Sequence, residues 1–171
     1  NLVTDGFLDV ALAMEPKERG LLTGPFVRPK HSLIDRRMLE RMAVMAIPMM
    51  LGTLFLFFHA LASGGLVKAW TVSLTTLAVF QWFNAWNCRS ERESVFRMNP
   101  FTNRFLVGAT ITIILLQLAA VYFRPLGELL RTSALTAGEW GVIVAVASSI
   151  LVAEELRKLI RRSLRSRAGE A

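Results

Sequence analysis

The sequence holds one cysteine, two histidines, one tyrosine, and 13 acidic residues against 20 basic ones. Cys88 has no second cysteine with which to form a disulfide framework or a cysteine metal site. His31 and His59 stand far apart and form no metal motif. Inside an apolar run, His59 is more often a packed or hydrogen-bonded helix residue than a ligand. There is no glycine-rich phosphate loop, no nucleophile beside a base, and no polar stretch large enough to fold as a soluble domain. Those absences exclude nucleotide hydrolysis by this chain acting alone. No secretory signal peptide, internal repeat or low-complexity tract is visible.

What is abundant is apolar sequence. Of the 171 residues, 53% are hydrophobic, yet the formal charge is +7. The charges are segregated. Apolar runs occupy Met42–Ser63, Thr71–Ala85, Phe105–Phe123 and Ala137–Ala153, each near the roughly 20 residues that cross a bilayer. None shows the clean charged face of a soluble amphipathic helix. The expected fold is an all-α membrane protein: a half transmembrane helix plus four full transmembrane helices in a bundle. The half helix is residues 1–14, about half a span at roughly 1.5 Å per residue. That is a strange start for a complete protein, so a longer parent chain is expected. Residues 15–41 read as a cytoplasmic loop and helix lead-in, broken by Pro16, Gly20, Gly24, Pro25 and Pro29. Residues 42–156 are the four-helix bundle, and 157–171 a basic tail that frays. Pro48 is expected to kink the first full span. Gly64-Gly65 is expected to end it, with Gly64–Ala69 and Arg124–Thr136 as outer loops.

The basic residues set the orientation. Seven precede the first full span, four lie between the second and third, and six follow the last; only Lys68, Arg124 and Arg131 fall elsewhere. The positive-inside rule then puts the three basic segments, the C-terminus included, in the cytoplasm. Anionic headgroups of the lipid bilayer and acidic protein surfaces account for this balance, with no nucleic-acid partner. Trp70, Tyr122 and Trp140 fall at the outer edge, and Trp82 and Trp86 near the inner end, as interfacial aromatics do.

Candidate chemistry begins at the first residues. Asn1, Thr4 and Asp5 share one face of an apolar helix. A carboxylate in an apolar transmembrane segment is costly and by default marks an ion path or a proton relay. Oxygen-only ligands suit hard cations such as calcium, and Gly6 would let the helix unwind and offer carbonyls. The plainer alternative is a capping cluster at the head of a buried helix. Asp9 lies one turn further along the same face, either as a second carboxylate of the path or, the favoured reading, as a capping or salt-bridging residue. Gln81, Asn84 and Asn87 make a polar stripe facing the bundle. Gln81 could touch a cation, although interhelical hydrogen bonding is the commoner use of such a residue. Glu154-Glu155 followed by Arg157-Lys158 reads as charge pairing at a helix end.

These motifs together resemble the C-terminal transmembrane region of a type II P-type cation-transporting ATPase, nearest the calcium pumps. Residues 1–6 with Ala11-Leu12 resemble the family's sixth helix, residues 83–91 with Ser94 and Phe96 the end of its eighth, and residues 155–162 the end of its tenth. The resemblance implies a pump driven by ATP through an aspartyl-phosphate, with the nucleotide and phosphorylation domains, and hence ATP and Mg2+, upstream. It implies that Asn1, Thr4 and Asp5 coordinate transported cation, Ca2+ first. Where Gln81 stands, pumps that move two calcium ions carry a glutamate, so Gln81 resembles the single-site members. Leu8 departs from a frequent proline, and Asp9 from a small or apolar residue. The partners implied are the missing N-terminal part of the pump, with its other transmembrane helices and cytoplasmic domains. The competing reading is a small non-catalytic membrane subunit, structural or regulatory, whose polar residues only hold helices together.

Sidedness is testable. Cysteines introduced at Arg97 and Arg165 should be labelled by an impermeant maleimide from the same side of the membrane. Labelling from opposite sides would refute the charge-based topology.

Overall fold

The computed structural model describes residues 2–16, 36–90 and 93–169. Among them the regular elements are all helical: α1 (Leu2–Ala13), α2 (Arg36–Asn87), α3 (Arg104–Tyr122), α4 (Arg124–Leu130), α5 (Ala137–Ala147) and α6 (Ser149–Gly169), with short 3-10 turns at Val95–Arg97 and Pro100–Thr102. Met38–Asn87, Arg104–Tyr122 and Ala137–Leu164 are long and apolar enough to cross a membrane. The chain is an all-α membrane bundle.

α2 is one helix by its hydrogen bonding and two by its path. Gly65, at φ 77° and ψ −176°, is its non-helical residue. That backbone region is open to glycine almost alone. The chain folds back there, and residues 36–64 and 66–87 form two arms of a hairpin. The arms pack tightly. A Cβ on Gly52 in the first arm would lie 3.0 Å from Cζ of Phe80 in the second and 2.7 Å from Cγ1 of Val146 in α5. The expected outer loop at Gly64–Ala69 is therefore a correction: one glycine makes the turn, and Leu66–Trp70 already belong to the second arm. Pro48 lies inside the first arm, where the backbone angles stay helical. His59 is stacked at 6.4 Å on Phe55 along an exposed face, not packed inside.

The other termini have local causes. Asn103 caps α3, its Oδ1 accepting from the Leu106 amide at 2.9 Å. Arg124-Pro125 ends α3 because proline brings no amide hydrogen to continue it. The expected loop from Arg124 to Thr136 instead begins with α4, which Pro125 enters near its first position. Thr136 and Glu139 form a capping box for α5. Glu139 also pairs with Lys68 at 2.9 Å, and Lys68 donates to the Ala134 carbonyl at 2.9 Å, which fastens the hairpin tip to the head of α5. Tyr122 donates to the Leu135 carbonyl and accepts from the Trp140 indole. Ser148 interrupts the last apolar stretch between α5 and α6. The helix then continues to Gly169, where fraying from Arg157 was expected.

Two clusters form the core. The larger joins both arms of α2 to α5 and α6 through Leu56, Ala60, Val79, Phe80, Ile143 and Ile150. The smaller joins α1 to the second arm and α3 through Leu8, Ala11, Ala85, Leu106 and Ile113. Many large apolar side chains elsewhere are exposed, including Phe55, Phe58, Leu115 and Val152. In water that surface would be untenable; in a bilayer it meets lipid or other apolar helices. Inside, Gln117 donates to Thr75 at 3.0 Å, a buried polar pair between α3 and the second arm.

Gly52→Leu should destabilise the bundle by about 1–3 kcal/mol, the usual penalty for overpacking. Val146 is stiff at χ1 and Phe80 is fully buried, so neither yields cheaply. A thermal melt in detergent should show a clear drop; an unchanged midpoint would contradict the close approach of the two arms.

Candidate cation site and its anchor

α1 and the second arm of α2 face each other across a cleft of about 50 Å³, room for a few waters or a partly hydrated ion. Its lining is Asp5, Leu8, Asp9 and Leu12 from α1, with Gln81, Asn84, Ala85 and Cys88 from the second arm. Each set has the i, i+3, i+4, i+7 spacing of a single helical stripe. Carboxylates line one wall, and amides and a thiol the other. The Asn84 Oδ1 is buried with no hydrogen-bond donor. A buried carbonyl oxygen in that state is costly and is available to a cation.

The residues singled out from the sequence separate as follows. Asp5, Asp9 and Gln81 line the cleft together. Thr4 lies in the first turn of α1, on the backbone of that helix, while Asn1 falls outside the described residues. Asp9 is exposed. Asn87 leaves the stripe: its Nδ2 donates to the Ile150 carbonyl at 3.2 Å, binding the second arm to α6. Asn84, read from the sequence only as part of that stripe, joins the cleft. Among the described residues, no three of His, Cys, Asp and Glu gather closely enough to hold a metal. A cation here would need amide oxygens and further ligands from outside this chain.

Below the cleft the two helices are tied by charge. The Arg89 side chain is 1% exposed and meets the Glu15 carboxylate through Nε at 3.0 Å and Nη2 at 2.8 Å. It also reaches the Asn99 carbonyl and Thr102 Oγ1 at 3.3 Å, and its guanidinium lies 5.4 Å from the Trp86 ring centre. Such a two-pronged, charge-assisted contact fixes direction as well as distance. Asn103 completes the knot. While its Oδ1 caps α3, its Nδ2 donates to the Ala11 carbonyl at 2.9 Å and to Glu15 Oε2 at 2.8 Å. Ala11 O is among the last carbonyls of α1; it also accepts from the Met14 amide at 3.2 Å in the closing turn.

A second buried charge cluster lies at the same end. Glu154 is fully buried, held by Arg157 at 2.7 Å and facing Arg41 at 3.7 Å. Arg41 also donates to the Asn87 carbonyl at 3.3 Å. Lys158, 2% exposed, donates to the Glu93 carbonyl and pairs with Glu155, which accepts from the Val95 amide. Simple pairing at a helix end was expected; the structure instead buries the pairs between α6, both arms and the segment after α2.

Residues 1–160 match the family described as cation transporting ATPase, C-terminus. The chain belongs to that family. It is 31% identical over 150 residues to a calcium-transporting ATPase of Bacillus subtilis, covering 86% of this chain and 17% of that protein. It is 31% identical over 166 residues to the mouse calcium-transporting ATPase type 2C member 2, covering 96% and 18%. The human type 2C member 1 protein is 28% identical over 164 residues, covering 95% and 18%. The chain thus spans less than a fifth of the length of these relatives. The resemblance drawn from residues 1–6, 83–91 and 155–162 agrees with this membership, and the chain is the C-terminal region of a P-type pump family.

Proposed function

We propose that this chain is the membrane part of an ATP-driven cation pump, that calcium is its cargo, and that it supplies part of the transmembrane cation site. The observation that carries the reading is the shared cleft. Asp5 and Gln81, singled out on separate helices, line one small cleft together with Asn84, whose oxygen has no donor. Calcium takes six to eight oxygen ligands. Asp5 would provide the formal charge, with Gln81, Asn1 and Thr4 as neutral oxygens and the rest from helices upstream. Asp9, exposed on the next turn, would meet the ion before Asp5 does. ATP and Mg2+ would act through the upstream cytoplasmic domains. Membership across residues 1–160 favours this over a free-standing structural subunit.

The topology proposed with it has residues 1–14 as half a span. The full crossings are the two arms of α2, α3, and the α5–α6 pair. Arg41, Arg89 and Lys158 gather at one end of the bundle, which the positive-inside rule makes cytoplasmic. Residues 15–41, of which 17–35 lie outside the described residues, and the C-terminus then fall on the cytoplasmic side.

In the full-length pump, Asp5→Asn should abolish cation-dependent phosphorylation from ATP while phosphorylation from inorganic phosphate survives. A hard divalent ion that sheds its water inside the membrane needs anionic oxygen in return. Gln81→Ala removes only a neutral dipole and should shift apparent cation affinity by about tenfold or less, on the order of 1.4 kcal/mol. Near-normal transport by Asp5→Asn with loss in Gln81→Ala would move the site off α1.

A further inference from the structure

We infer that Glu15, Arg89 and Asn103 are positioning residues for the cation site, setting the height of α1 against the second arm of α2 so that Asp5 stays level with Gln81. This rests on the cleft being the cation site.

The reasoning begins with how little else holds α1. Of its described side chains only Leu8 and Ala11 are buried. Apolar contact is non-directional, so those two residues favour the neighbourhood of the second arm and α3 without fixing a height along it. The polar contacts of the knot are directional. Glu15 lies just past the end of α1 and Arg89 just past the end of the second arm, and they meet at 2.8 Å. The two helices therefore run the same way into one fastening.

From that fastening, Asp5 lies ten positions back along one strand of the pair and Gln81 eight positions back along the other. At roughly 1.5 Å per residue the two heights are similar. Asn103 adds a second tie one turn closer to the site, through the Ala11 carbonyl. A slip of α1 by one turn would displace Asp5 by about 5.4 Å relative to Gln81. Calcium–oxygen distances span only about 2.3–2.6 Å, so a far smaller displacement would already break a shared coordination shell. The groups Arg89 contacts, Glu15, Asn99, Thr102 and the Trp86 ring, all lie outside the cleft. Its influence on the cation is therefore indirect.

The test uses the full-length pump with Glu15→Gln, Arg89→Lys and Asn103→Ala. Glu15→Gln keeps shape and removes charge; Arg89→Lys keeps charge and loses the planar fork. Each should weaken apparent cation affinity, measured by phosphorylation from ATP, by about tenfold, with phosphorylation from inorganic phosphate unchanged. Register is read separately in a background lacking other cysteines. Leu12→Cys with Ala85→Cys should cross-link through a short thiol-reactive bis-maleimide, and adding Glu15→Gln should lower that yield while raising the yield of Leu8→Cys with Ala85→Cys. Unchanged affinity and unchanged cross-linking would overturn the inference. So would joint loss of both phosphorylation reactions, or failure of all three variants to accumulate, since either marks a merely structural role. If cross-linking shifts as expected but Asp5→Asn pumps normally, the clamp stands and the assignment of the cation site falls.

Discussion

A guanidinium almost wholly removed from solvent is the point on which this end of the bundle depends. Burying a charge is expensive unless every lobe of it is matched. Arg89 meets that demand with a carboxylate from the end of α1, a carbonyl and a hydroxyl from the segment before α3, and an indole from its own helix. Its partners come from segments distant in the chain, so satisfying the charge brings those segments together. Removing Glu15 would leave the positive group buried with too few acceptors. Such a loss typically costs about 3–5 kcal/mol, more than the few apolar contacts of α1 can absorb.

The buried polar groups are distributed by depth. In the middle of the bundle they are neutral and few, such as Gln117 with Thr75. Charges are concentrated at one end, where Glu154, Arg157, Arg41 and Lys158 interlock. Full charges are tolerated where water and headgroups are near, and hydroxyl–amide pairs where they are not. Asp5, a carboxylate away from that charged end, breaks this rule, and it shares its cleft with the Asn84 amide, whose oxygen has no donor. Sites that violate the pattern of their own fold are where function is expected.

How much of this was readable beforehand follows from range. Hydropathy runs are local, and they located the long helices, although α6 continues to Gly169, well past the expected end at Leu156. The stripe through Asp5 and Asp9 is also local, an i, i+4 relation. The reversal at Gly64-Gly65 was visible, but its length was not: a loop was expected where one left-handed glycine suffices. Lys68 looked like a loop residue, yet it sits on helical backbone. The knot was invisible. Glu15 read as the start of a loop and Arg89 as one count in a charge tally, because nothing periodic links residues 74 positions apart. Asn103 was missed for the same reason, although an Asn before an apolar run is a fair cap signal. The pairing of Gln81 with Asp5 came from family resemblance, and geometry supplied the cleft that joins them.

The one-residue reversal at Gly65 also bears on how the protein is made. Synthesis delivers the α2 hairpin well before α5. Lys68, just past the hairpin tip, meets the Ala134 carbonyl and Glu139, both in sequence that emerges later. Until then its ammonium would need water, which would hold the tip at the membrane surface and keep it from sinking into hydrocarbon. When Glu139 arrives, the waiting charge receives α5 at the correct depth. The lysine would thus serve as a temporary float during biogenesis, and in the finished bundle it is the catch between the hairpin tip and the head of α5.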